Sequence, residues 1–272
     1  MFVEKLRKQI SKKKSLLCIG LDPDREKLPE ILKYEKEAFF LFCREIVDST
    51  SDFAISYKPN IAFFERFGSK GIAEFERLVL YIRETHPEIP IVADVKRGDL
   101  FNTAKEYAAY YLADLQVDAL TLSPYMGKDS LSPYLSYKGK FAFILCLTSN
   151  TGSNDLQKLK IVDSNAYLYE ETANFVSRLN QEFPDSCGLV VGGTHPQELS
   201  NLRQKHPDLY FLIPGYGAQG GSLEDIYRAS GLNSLINSSR GIIYASSDSD
   251  FAEKAAIKAS EIQEDFKKLF KS

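Results

Sequence analysis

The chain has 272 residues, 44% of them hydrophobic and 26% charged, with a formal net charge of −3. This is ordinary globular composition, with enough apolar residues to build a sizeable core. The mild acidity speaks against a nucleic-acid partner, because phosphate-backbone recognition needs a basic surface.

The N-terminal stretch is predicted to be a short helix, not a targeting segment, since Glu4, Lys5, Arg7 and Lys8 interrupt any apolar signal region. It ends in Lys12, Lys13 and Lys14, the only dense basic run, expected to be a solvated face that favours the helix C-terminus. Strand patterns then follow at Leu16–Leu21, Phe53–Lys58, Ile91–Lys96, Ala119–Leu122, Phe141–Leu147, Gly188–Val191, Tyr210–Ile213 and Ser234–Asn237. Most are near-continuous apolar runs, as parallel strands covered on both faces require. Helical patterns lie between them at Glu35–Asp48, Ile72–Thr85, Thr103–Leu115, Asn165–Phe183 and Pro196–Lys205. Thr194 with Gln197 predicts a capping box for the last of these, and Asp250 with Glu253 a similar start for a C-terminal helix. In that helix Phe251, Ala255, Ile262, Phe266 and Leu269 recur on one face and should bury.

Eight βα units in about 250 residues fit an α/β protein of the (β/α)8 TIM-barrel type. A doubly wound open sheet is the competing architecture. No repeat, low-complexity tract or Pro/Gly-rich linker divides the chain, so residues 1–272 are expected to form a single domain. The longest apolar runs are far too short to span a bilayer, so no membrane partner is expected. Cys18, Cys43, Cys146 and Cys187 are widely spaced and read as small buried hydrophobes in a reducing, cytoplasmic setting.

The third strand runs into Asp94-Val-Lys96-Arg-Gly-Asp99. Residues two apart in a strand share a face, so Asp94 and Lys96 point together while Val95 points away. The second strand ends in Lys58, at the same rim, and the C-terminal rim is where barrel enzymes hold their active sites. Charges at the ends of apolar strands are costly unless paired. An alternating Lys–Asp–Lys–Asp array answers that cost, at roughly 4 kcal/mol per contact for charges about 4 Å apart at an effective dielectric near 20. Such an array fixes a lysine rigidly, ready to deliver a proton to a carbanion. A salt-bridge network that merely plugs the barrel mouth has the same spacing.

After the seventh strand comes Pro214-Gly-Tyr-Gly-Ala-Gln219-Gly-Gly221, which satisfies G-x-G-x-x-G. A dinucleotide site wants an acidic residue about 20 positions on, where this chain offers Ser238-Ser239-Arg240. A phosphate site fits better, since barrel enzymes bind phosphate with the loops after strands seven and eight. Arg240 supplies a planar fork for it, although such a turn also serves simply to reverse a chain. His86, His195 and His206 each precede a proline and read as helix-boundary residues, with no metal-ligating spacing. No Ser/His/Asp set or Gly-x-x-x-x-Gly-Lys-Ser/Thr loop is present.

Six motifs in order now carry a likeness. They are Gly20-Leu-Asp22-Pro-Asp24, Tyr57-Lys58-Pro-Asn60, Asp94-Val-Lys96-Arg-Gly-Asp99, Leu147-Thr-Ser149-Asn-Thr-Gly152, the glycine-rich turn and Ser239-Arg240-Gly241. Together, from about Leu17 to Tyr244, they resemble the orotidine 5′-phosphate decarboxylase family, especially its longer bacterial branch. Leu100 stands where that family usually has isoleucine, and Thr151 where the branch often has proline.

The resemblance implies a homodimer with shared active sites that converts orotidine 5′-phosphate to uridine 5′-phosphate and CO2, in pyrimidine biosynthesis, without metal or organic cofactor. It makes Lys96 the proton donor to C6, puts Asp94 beside the departing carboxylate and has Lys58 link Asp94 to the ribose. It assigns Asp99 and Thr103 to the neighbouring subunit's site and Asp22 to the ribose. Ser149 falls to the pyrimidine edge, Gln219 and Arg240 to the phosphate loop, and Pro214 to the substrate-binding residues. Two alternatives remain at this stage: a Mg²⁺-dependent sugar-phosphate decarboxylase or aldolase of the same barrel type, and a non-catalytic nucleotide-phosphate-binding barrel.

Overall fold

The computed structural model describes residues 1–216 and 222–271. In chain order the elements are α1 (Phe2–Lys13), β1 (Leu17–Leu21), α2 (Ala38–Thr50), β2 (Ser56–Pro59), α3 (Ala62–Glu65), α4 (Gly68–Thr85), β3 (Val92–Arg97) and α5 (Phe101–Ala108). They continue with β4 (Ala119–Leu122), α6 (Lys128–Leu135), β5 (Phe141–Leu147), α7 (Ser153–Leu156), α8 (Leu168–Glu182) and β6 (Cys187–Val191). The last are α9 (Pro196–Lys205), β7 (Phe211–Pro214), α10 (Leu223–Ser230), β8 (Ser234–Ser238), α11 (Arg240–Ile243) and α12 (Phe251–Leu269). All ladders are parallel, in the order β2-β1-β8-β7-β6-β5-β4-β3. Single bridges Tyr57–Ile91 and Asn60–Asp94 join β2 to β3 and bring the sheet round into a nearly closed barrel.

Strand periodicity divides the core in two. Cys18, Val92, Ala119, Phe143, Leu212 and Leu235 belong to an inner cluster that α1 joins from below with Phe2, Val3 and Leu6. Their neighbours, such as Ile19, Ala93, Leu120, Ile144, Phe211 and Ile236, pack outward against the helices in a larger cluster. On α12, Phe251, Ala255 and Phe266 are buried as expected, with Ile262 and Leu269 packed at the margin. The four cysteines are buried and free, and the three histidines lie at helix ends: His86 after α4, His195 before α9 and His206 after it.

Several boundaries differ from the expectation for tertiary reasons. The helix expected from Glu35 begins at Ala38, where the Glu74 carboxylate of α4 accepts the Phe39 and Phe40 N–H groups, each at 2.9 Å. The helix expected over Thr103–Leu115 starts earlier, at Phe101, and its last turn, Ala109–Asp114, widens to π-helix.

The capping box expected of Thr194 and Gln197 does not form. His195 is the N-cap residue, the Thr194 hydroxyl is buried without a partner, and Gln197 bonds to Asn201 instead. Pro196 at the first helical position lacks an N–H to satisfy, so less is lost there. Asp250 does precede α12, but its carboxylate accepts from the Ser246 hydroxyl and makes no cap bond. Lys13 is not solvated either. Its ammonium is buried, pushed down to about 8 by that burial, and donates to the Ser51 and Ala54 carbonyls at 2.6 and 2.5 Å. It thereby satisfies the C-cap carbonyl of α2 at Ser51 and a carbonyl of the turn that leads into β2.

Candidate active site

The inward parity that fills the barrel with apolar residues turns polar near the C-terminal ends of the strands. Asp94 and Lys96 follow Val92 on β3, Thr121 follows Ala119 on β4, and Asn237 follows Leu235 on β8. With Lys58 at the end of β2, they set a polar layer on top of an apolar one.

Three of the four expected charges meet. Lys58 donates to Asp94 Oδ2 at 2.7 Å and Lys96 to Asp94 Oδ1 at 2.5 Å. Lys58 is 4% exposed and Asp94 8%, whereas the Lys96 side chain is 50% exposed and faces the open mouth. Burial by itself would raise the Asp94 carboxyl, but Lys58 and Lys96 beside it hold it well below the usual carboxylate range. Burial would likewise lower Lys58, but the charges of Asp94 and Asp22 hold it above its ordinary value. Both directions favour a fully ionised pair out of water.

The local backbone is irregular where it carries Lys96. The β3–β4 register shifts between Ala93 and Arg97, and Lys96 has φ of 44°. A bulge of this kind re-aims a side chain and is common beside active sites, and the left-handed conformation costs a non-glycine residue about 1–2 kcal/mol. Arg97, the next residue, turns outward to Glu65 at 2.6 Å and Tyr111 at 3.1 Å.

Asp99 is not part of the charged chain. It is half-buried, its carboxylate accepts from the Leu100 N–H at 2.7 Å, and among the described residues no cation pairs with it. Thr103 lies exposed in the first turn of α5.

Asp22 follows β1 with Oδ1 buried and unpartnered, aimed at the same side of the barrel as Lys58. Its loop is tied down by Tyr244, whose hydroxyl donates to the Asp22 carbonyl at 2.9 Å and accepts from the Asp24 N–H at 2.6 Å. The ends of β1 and β8 approach so closely that a Cβ on Gly20 would lie 1.8 Å from Ser239 Oγ. Ser149 follows β5 in a turn held by Gln157, which accepts from the Thr148 N–H at 2.7 Å. Pro214 ends β7 opposite Asn237, and Arg240 opens α11 with its side chain exposed. Gln219 and most of the glycine-rich turn lie outside the described residues. Among the described residues no group of three or more His, Cys, Asp or Glu is placed to share a metal ion.

Sequence reasoning missed three participants. Thr121 is the one polar residue of β4 and shares the inward parity of Ala119, a signal that the sequence carries, whereas Asn237 shares the parity of Leu235 on a strand that also holds Ser234 and Ser238. Tyr244 had no such signal, because its contacts lie more than 200 residues away in sequence.

The model of the orotidine 5′-phosphate decarboxylase / HUMPS family matches residues 15–255. The chain is 55% identical over 252 residues to the orotidine 5′-phosphate decarboxylase of Leptospira interrogans, covering 92% of this chain and 90% of that protein. It is 45% identical over 269 residues to that of Porphyromonas gingivalis, covering 97% and 95%. Among solved structures, Leishmania donovani OMP decarboxylase superposes with a TM-score of 0.80 at 38% identity, over 96% of this chain and 98% of the other.

Proposed function

The chain belongs to the orotidine 5′-phosphate decarboxylase / HUMPS family, and from that premise we propose that it decarboxylates orotidine 5′-phosphate to uridine 5′-phosphate with Lys96 as proton donor. The observation that carries the reading is the buried Lys58–Asp94–Lys96 chain, whose only half-exposed member is the lysine facing the mouth. In the reaction the bond from C6 to the carboxylate breaks and CO2 departs, leaving the electron pair on C6. The Lys96 ammonium forms the new C–H bond and becomes a neutral amine, which solvent at the mouth reprotonates. A fixed ammonium matches the charge that develops at C6 better than it matches the neutral ring, so its stabilisation grows toward the transition state.

Asp94 lies beside the departing carboxylate on this reading and holds Lys96 in place, while Lys58 joins Asp94 to the ribose. Asp22, with its unpartnered buried oxygen, receives a ribose hydroxyl. Ser149 meets the pyrimidine edge, and Pro214, Gln219 and Arg240 line the phosphate side, where remote binding energy supports catalysis at C6.

We assign Asp99 and Thr103 to the site of a second copy. Their position outside the charged chain supports this, as do the exposed apolar side chains beside them: Leu100, Phe101, and Tyr125 and Met126 on the adjoining loop after β4. Mixing Lys96→Ala with Asp99→Ala subunits then regenerates one native site per heterodimer, and mixtures that stay inactive exclude sharing. Four buried free thiols support a reducing, cytoplasmic setting.

The deciding experiment follows ultraviolet loss of orotidine 5′-phosphate with a chelator present. Turnover under these conditions is the expected result. Turnover abolished by the chelator points to the metal-dependent alternative, and binding of uridine 5′-phosphate without turnover points to a non-catalytic barrel.

A further inference from the structure

We propose that Thr121 is a positioning residue for the proton donor, acting through its hydroxyl on both Asp94 and the backbone of Lys96. The inference rests on the reading of Lys96 as donor and adds a residue from a different strand. Thr121 is 1% exposed. Its Oγ1 stands 3.0 Å from Asp94 Oδ1, 3.0 Å from the Val95 N and 2.9 Å from the Lys96 N.

The direction of each bond is forced. A threonine hydroxyl has one proton and two lone pairs. The two backbone N–H groups can only donate, so they occupy both lone pairs, and the single proton must go to the Asp94 carboxylate. The hydroxyl is then fully used and has one orientation.

Its position answers a need created by the bulge. Ala93 pairs with Leu120 and Arg97 with Leu122, so three residues of β3, Asp94 to Lys96, face the single residue Thr121 on β4. The Val95 and Lys96 N–H groups therefore lack the regular ladder acceptors that β4 gives elsewhere, and buried donors without partners are costly. One side-chain oxygen replaces those acceptors and supports Lys96 at φ of 44°. The same oxygen hydrogen-bonds Asp94 Oδ1, the atom that receives Lys96 Nζ. Thr121 thus fixes the root of the lysine and the anchor of its tip together.

Thr121→Val keeps the shape and removes the hydroxyl, and Thr121→Ser keeps the hydroxyl. Misplacing a reacting group by about 1 Å costs on the order of 100-fold. Thr121→Val is expected to lower kcat by about 10- to 100-fold with KM changed less than about threefold, a split that marks loss of a transition-state interaction. Thr121→Ser should return kcat to within about threefold of the parent, a rescue that generic weakening of the fold would not produce. The acid limb of kcat against pH should also move upward in Thr121→Val, because Asp94 loses a donor to its charged form.

Rates are normalised to sites titrated with uridine 5′-phosphate, so unfolded protein does not count. If Thr121→Val does not fold, Thr121→Ala supplies the same comparison without a second methyl facing the N–H groups. Parental kcat per titrated site in a hydroxyl-less variant, or a Thr121→Ser enzyme as slow as it, overturns the inference. Lys96→Ala run alongside separates the two levels: if that variant turns over substrate, the reading of Lys96 fails, whatever Thr121 does.

Discussion

The two ends of the barrel are built to opposite standards. At the floor, α1 closes the interior with Phe2, Val3 and Leu6, and the Phe2 ring stacks on Phe141 at 4.8 Å. Arg7 donates to the Tyr210 hydroxyl at 2.8 Å, and Lys13 caps two carbonyls. At the mouth, by contrast, the layer above the apolar core is a buried ion pair, Lys96 is held at positive φ within a strand, and the inward Asp22 and Asn237 each keep a buried oxygen without a partner. Apolar burial stabilises in proportion to area, whereas a buried ion pair is roughly neutral against an apolar replacement. The floor therefore supplies stability through apolar area, and the mouth retains a polar layer whose cost a ligand can offset.

The largest expected effect is on turnover alone. Lys96→Ala should lower kcat by at least about 10³-fold, with the melting temperature within a few degrees of the parent. Substantial turnover in a steady-state assay would remove Lys96 from the donor role.

Asp94→Asn strands the Lys58 ammonium and should cost about 3–5 kcal/mol in denaturant unfolding. The pair Lys58→Met with Asp94→Leu should recover most of that loss while remaining inactive. A double variant as unstable as the single one would mean that the mouth contributes net stability after all.

Leu6→Ala at the floor should cost about 2–4 kcal/mol and leave kcat unchanged well below its unfolding temperature. A kcat loss there would erase the division between the two ends.

Titration offers a finer test. The folded Asp94 carboxyl lies below its ordinary 3.8, so its contribution is present above about pH 4 and is lost as pH falls toward the folded value. Lys58 is raised above 10.5, so its contribution is present below that pH and is lost as pH rises through the folded value. Below pH 4 the parent should lose up to about 1.4 kcal/mol per pH unit more than Asp94→Asn does. Parallel acid limbs in the two proteins would show that Asp94 is not held low.

The smallest effect belongs to the Tyr244 latch between the Asp22 loop and the segment carrying Arg240. Tyr244→Phe removes hydrogen bonds worth about 1 kcal/mol and should raise KM roughly three- to tenfold, with little change in kcat. An unchanged KM would mean that the Asp22 loop holds its position without the latch.

What was legible in the sequence follows from local periodicity. Eight apolar runs between helical patterns gave the barrel, because strand burial on two faces imposes a composition that needs no knowledge of neighbours. The pairing of Asp94 with Lys96 was legible for the same reason, since a two-residue spacing fixes a shared face. Lys58 was legible from its place at a strand end. The failures concern partners distant in sequence. Lys13 sits in a basic run that locally reads as solvated, but the carbonyls of Ser51 and Ala54, 38 and 41 residues away, enclose its ammonium. The start of α2 depended on Glu74, and the expected Thr194 cap gave way to His195 and Pro196.

The sequence by itself thus determined the order of elements, the inward face of each strand and the charged residues at the rim. Tertiary structure alone decided that one Asp94 carboxylate joins both lysines, and that Thr121 occupies the gap left by a bulge in β3. The physical reason is that periodicity assigns a side chain to a face, but hydrogen bonds and ion pairs depend on distances set by register between strands. A shift of one residue in that register changes every one of those distances.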